Sequence, residues 1–137
     1  MSERRPLHYD YDAEIKEKYG NTPVYKEYKE KTKEYSESKW AANNLIIWVI
    51  FSKFSEVMNS GADPCSKEAQ ALVVDLQDHI TAYYYTCTDE ILAGLGQMYA
   101  ADERFKNNID KKNGKGTAEF VSKTIAIYCA KKLDNVN

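Results

Sequence analysis

Histidine, cysteine and long hydrophobic runs are all scarce in this chain, and each shortage removes a class of function. Among its 137 residues the histidines are His8 and His79, too few for a histidine-built metal centre. The cysteines Cys65, Cys87 and Cys129 are odd in number and show no C-x-x-C spacing, which argues against a disulfide framework and against zinc. Residues 1–11 carry no apolar stretch of the kind a secretory leader needs. The longest apolar run, residues 45–51, falls far short of a membrane span. An excess of one charge is missing too: 19 basic residues against 21 acidic ones give a net charge of −2 and a pI near 5.7. That balance leaves no broad electrostatic footprint for nucleic acid, and no basic recognition helix is visible. The expectation is a cytoplasmic protein with no metal, no cofactor, no membrane partner and no direct contact to DNA.

What is present is an uneven supply of apolar residues, 43% in all, sparse before Trp40 and dense after it. That is enough for one domain with its own core. No strand-like alternation or internal repeat appears, and the spacing predicts an all-α fold of roughly six to eight helices. A short helix over residues 12–19 ends at Gly20, a residue suited to a helix C-terminus. Thr22 caps the next helix with Pro23 in its first turn. That helix is rich in charge and tyrosine and poor in aliphatics, so its stability depends on packing against something else. Ser36 caps a longer helix reaching about residue 59. Because residues 45–51 are apolar on nearly every side, this helix is expected to be the central, most buried one. Ser66, Thr88, Asp102 and Thr117 are read as caps of four further helices.

Cys87 is the sharpest chemical candidate, standing just before the helix capped by Thr88. A helix N-terminus favours thiolate, whereas Asp89 and Glu90 oppose it, and a buried inert thiol is the plain alternative. Cys65 and Cys129 read as incidental. His79 stands eight residues before Cys87, about two helical turns away, so a Cys–His nucleophile pair can be drawn. No third orienting residue announces itself. No carboxylate pair suited to hydrolysis stands out. Gly94-Leu95-Gly96 falls inside a helical pattern, where bare positions suit close approach of another helix or a ligand rather than a phosphate loop. Eleven tyrosines are many for this length. Tyrosine and tryptophan offer large contact area with a polar handle, which suits extended heteroaromatic ligands, although helix packing explains most of them. Three consecutive tyrosines, Tyr83, Tyr84 and Tyr85, cannot all face one core.

Residues Lys18-Tyr19-Gly20-Asn21-Thr22 with Tyr25, then Lys31-Thr32, Tyr35 and Trp40, then Met58-Asn59-Ser60-Gly61, stand in a telling order. The block 94–110, above all Gly96-Gln97-Met98-Tyr99 and Asp102-Glu103-Arg104-Phe105, completes it. Together they resemble the TipAS family, the antibiotic-recognition domain of TipA-type MerR regulators. The resemblance implies a globin-like helical domain without haem. It implies a flexible segment over residues 1–39 that orders on a bound drug, and a helical core over residues 40–137. It also implies a binding protein rather than an enzyme. The ligand would be a thiopeptide-like antibiotic or another hydrophobic drug, held by Tyr83, Tyr84, Tyr85, Met98, Tyr99, Trp40 and Trp48. Cys87 becomes the candidate for covalent attachment. The DNA-binding domain and coiled coil of the full regulators do not appear in this sequence, so a monomer contacting DNA only through a linked domain is expected. The rival readings are a small cysteine-dependent enzyme with His79 as base, and a helical partner-binding domain.

Overall fold

The computed structural model describes residues 22–136, which leaves the expected helix at 12–19 outside the described residues. Those described form six α-helices and no strand: α1 Pro23–Thr32, α2 Glu37–Asn59, α3 Lys67–Tyr83, α4 Asp89–Ala101, α5 Glu103–Asn113 and α6 Thr117–Val136. Five of the starts are capped as the sequence predicts. Side-chain oxygens of Thr22, Ser36, Ser66, Thr88 and Asp102 accept from the backbone N–H of Tyr25, Lys39, Ala69, Ile91 and Arg104. Each occupies a donor that would otherwise lack an intrahelical partner.

The sixth start differs. Thr117 is already helical, and its hydroxyl donates back to Gly114 O at 2.7 Å. The cap comes from across the turn, where Asp110 Oδ1 accepts from Ala118 N–H at 2.9 Å. Gly114 and Gly116, at φ +114° and +92°, fold the connection tightly enough for a carboxylate in the last turn of α5 to reach the start of α6.

The core's most extensive seam lies between α4 and α6. It is close because Gly96 is bare: a Cβ there would stand 2.9 Å from Ile125 Cγ2. Gly94, two residues earlier on α4, has nothing within 4 Å of the same position. The two glycines should therefore answer alanine in opposite ways. Gly96→Ala is expected to destabilise by about 1–3 kcal/mol through overpacking, and Gly94→Ala to stabilise by up to about 1 kcal/mol through helix propensity. Urea denaturation of both variants checks this, and a shift of the same sign in both would refute the seam.

The expectation for α2 needs correction. Asn43, Asn44, Ile47, Ile50, Phe51, Phe54 and Ser55 are buried, but Leu45, Ile46 and Val49 are 61%, 44% and 43% exposed. An unbroken apolar run on a helix points all the way round the axis, and α3, α5 and α6 cover one arc of it. Helix α1 lies farther out, attached to the bundle mainly by side chains rather than by close backbone packing.

Candidate functional site

The α3–α4 connection, residues 84–88, carries the sequence's sharpest candidates. Tyr84, which follows α3, is fully buried, and its hydroxyl donates to Asn44 Oδ1 at 2.6 Å. Tyr85 is buried as well, whereas Tyr83 is half-buried. So one of the three tyrosines keeps partial access to solvent, as their adjacency requires.

Around them stands an aromatic seat. Trp40 lies 6.0 Å from Tyr84, 6.5 Å from Tyr28 and 5.6 Å from Tyr35, ring centre to ring centre. Tyr28 lies 6.1 Å from Tyr25 and 6.4 Å from Tyr85. Most of these pairs are edge-on, the arrangement that ring quadrupoles favour. Helix α1 closes the seat from above. The backbone N–H and hydroxyl of Thr86 donate to the two oxygens of Glu27 at 2.9 and 2.7 Å. Lys31 Nζ donates to Thr81 O and pairs with Glu27 at 3.5 Å. Tyr35 OH donates to Tyr83 O at 2.8 Å. The Thr86 N–H, helped by its hydroxyl and by Lys31, holds the Glu27 carboxyl below its ordinary range against some opposing burial. The clasp is thus formed with Glu27 ionised.

Cys87 is buried in the same connection, 3% exposed, with its thiol near Cys129, Asp89 and Tyr99. Its N–H donates to Thr81 Oγ1 at 3.1 Å, and its carbonyl accepts from Gln77 Nε2 at 2.8 Å. Burial pushes the thiol up to about 12, and Cys129 and Asp89 push the same way. Asp89 remains a carboxylate because the Gln77 amide and then Lys132 hold its pKa low. The helix N-terminus is therefore outweighed, and the group presented here is a neutral thiol.

His79 serves elsewhere. Its Nε2 lies 2.8 Å from Asn43 O, and since a carbonyl oxygen only accepts, that nitrogen carries the hydrogen. Burial lowers its pKa, and its ring packs on Tyr83 and Tyr84. The nucleophile–base pair drawn from the sequence has a histidine committed to α2. Among the described residues, no group of three His, Cys, Asp or Glu side chains could hold a metal ion, and no helix is long and apolar enough to cross a membrane.

The predicted ligand residues thus divide. Trp40 and Tyr83, Tyr84 and Tyr85 come together at the seat. Trp48 instead packs on Phe51 at 5.8 Å beneath Lys112 Nζ. Tyr99, 1% exposed, stands edge-on to Phe51 and Phe105 inside the core. Met98 is half-buried on α4 against the core. Glu27, Thr81, Gln77 and Thr86 escaped the sequence reading, and Lys31 entered it only within the family motif. Only the i, i+4 spacing of Glu27 and Lys31 hinted at pairing, and it pointed along α1 rather than across to α3.

The profile of the TipAS antibiotic-recognition domain matches residues 11–128. The chain is 35% identical over 119 residues to the HTH-type transcriptional activator mta of Bacillus subtilis, an overlap of 87% of this chain and 45% of that protein. It is 34% identical over 100 residues to the HTH-type transcriptional activator TipA of Streptomyces coelicolor, covering 73% of this chain and 40% of TipA. It therefore spans less than half the length of these relatives. Among solved structures it is similar to TipAS of Streptomyces lividans in complex with nosiheptide, from a thiopeptide antibiotic multidrug resistance system. That match has a TM-score of 0.78 at 30% identity, over 90% of this chain and 85% of that one.

Proposed function

Because the chain belongs to the TipAS antibiotic-recognition domain family, we propose that it senses a thiopeptide-like antibiotic at the aromatic seat and binds it non-covalently. The observation that carries this reading is the cover. Helix α1 brings Tyr28 onto Trp40 and Tyr85, with Tyr25 packed against Tyr28, and is held there by a polar clasp at its edge. A ligand enters when α1 lifts. Its heteroaromatic rings then lie between the tyrosines of α1 and the faces of Trp40 and Tyr83, and the clasp closes over it.

Such a closure couples binding to a two-state element. In a longer activator, a linked DNA-binding part would read that state out. Alone, the domain would sequester the drug. It would do either in the cytoplasm, as a monomeric binding module that turns nothing over and makes no direct contact with nucleic acid. Covalent capture at Cys87 has little chemistry behind it in this conformation, because Michael addition needs an accessible thiolate and the thiol is neither accessible nor ionised.

Titration with nosiheptide, followed by calorimetry, tests the seat. Trp40→Ala is expected to weaken binding about 30-fold, the size of an aromatic hot spot. Trp48→Ala, away from the seat, is expected to change it less than about threefold. Far-ultraviolet circular dichroism confirms that both variants fold. If Trp48→Ala proves the more damaging, the ligand lies along α2 and α5, and this assignment fails.

A further inference from the structure

A shallow, solvent-open hollow of about 430 Å³ lies at the opposite end of α2 from Trp40. Eighteen residues separate Trp40 from Met58 on its lip, on the order of 27 Å along a helix, so it shares nothing with the aromatic seat. The geometry points to a second small-molecule site there, one that takes a hydrophobic monocation.

The hollow is braced on two sides. Gln70 Nε2 donates to Pro64 O at 2.9 Å and to Thr124 O at 3.2 Å, which fastens the turn after α2 to the side of α6. Phe120, on the floor, is buried against Phe54 at 6.4 Å. Two glycines keep the walls low. Gly61 has φ +89° and nothing within 4 Å of a would-be Cβ, and Gly116, at φ +92°, leaves Met58 Sδ 3.7 Å from the corresponding point. The volume lies within the range of small-ligand pockets, about 300–1,000 Å³.

The floor and rim fix the ligand's chemistry. Met58, Pro64 and Phe120 supply apolar surface, and the thioether adapts readily to an aromatic guest. The rim carries two carboxylates, Asp63 and Glu119, against one ammonium, Lys123, all three exposed. None of the three is held in an ion pair among the described residues. A delocalised cation with aromatic substituents matches this pattern: its rings meet the floor and its charge meets the carboxylates. The rim's net charge of −1 favours a cation over a neutral or anionic ligand.

Tetraphenylphosphonium is a suitable probe, with neutral triphenylphosphine oxide as its comparator, both titrated into the whole domain by calorimetry. Saturable one-to-one binding of the cation is expected below about 1 mM, with the neutral comparator about tenfold weaker. The surface variant Asp63→Asn/Glu119→Gln is expected to weaken the cation about five- to tenfold. Trp40→Ala and prior saturation with nosiheptide should leave it unchanged. Absence of saturation at that concentration overturns the site. So does cation binding that survives Asp63→Asn/Glu119→Gln but disappears with Trp40→Ala or under nosiheptide, because that pattern places the cation in the aromatic seat. Nosiheptide binding itself is read separately, so either site can fail without the other.

Discussion

Iodoacetamide is expected to alkylate Cys87 in the folded protein about a thousandfold more slowly than an ordinary cysteine. Alkylation goes through the thiolate. An ordinary thiol has a pKa of about 8.5, whereas burial, Cys129 and Asp89 together push Cys87 up to about 12. Below both values the thiolate populations differ by about three powers of ten, and the 3% exposure of the residue adds a steric barrier. Cys65 is exposed and serves as the internal control. A time course at pH 8, read by intact mass and peptide mapping, should show Cys65 modified first and Cys87 spared, with the difference erased in denaturant. The same chemistry predicts no adduct when the native protein meets a dehydroalanine-bearing thiopeptide. Should Cys87 react as fast as Cys65 in native buffer, the 84–88 connection must open readily, and covalent capture becomes the better mechanism.

Tyr84→Ala is expected to cost about 3–5 kcal/mol of stability, the scale for emptying a buried aromatic site. The ring is fully enclosed, packs on Trp40 and His79, and anchors its hydroxyl on Asn44. Against a total stability of about 5–15 kcal/mol for a domain, that loss brings the fold near its limit. Tyr83→Ala, at a half-buried position, should cost less than about 1.5 kcal/mol. Urea midpoints of the two variants decide the matter, and equal losses would mean that the connection is not seated as described.

The difference between these neighbouring tyrosines shows what the sequence could disclose. Helix starts were legible because a cap is a local event: Ser66 and the N–H of Ala69 are three residues apart. The sixth start was misread because its cap, Asp110, comes from another helix. Burial around α2 was overread, since nothing in residues 45–51 tells which arc meets α3 and α6 and which leaves Leu45 facing solvent. The ordered motifs of the block 94–110 carried the family. They did not separate Tyr99, a core ring, from a ligand contact. The clasp was beyond reach for a similar reason, with Glu27 and Thr86 59 positions apart and no periodicity linking them. The state of Cys87 depended chiefly on its burial, to which no local sequence pattern points.

The α4–α6 seam and the α1 cover also separate two kinds of evolutionary freedom. The seam tolerates almost nothing at Gly96, where one added carbon meets Ile125. The cover touches the bundle through tyrosine rings and a few polar contacts. Substitutions at Tyr25 or Tyr28 therefore reshape the cover and leave the seam intact. On the proposed reading, a lineage carrying this domain would change its antibiotic by rewriting a single ten-residue helix, with its scaffold inherited unchanged.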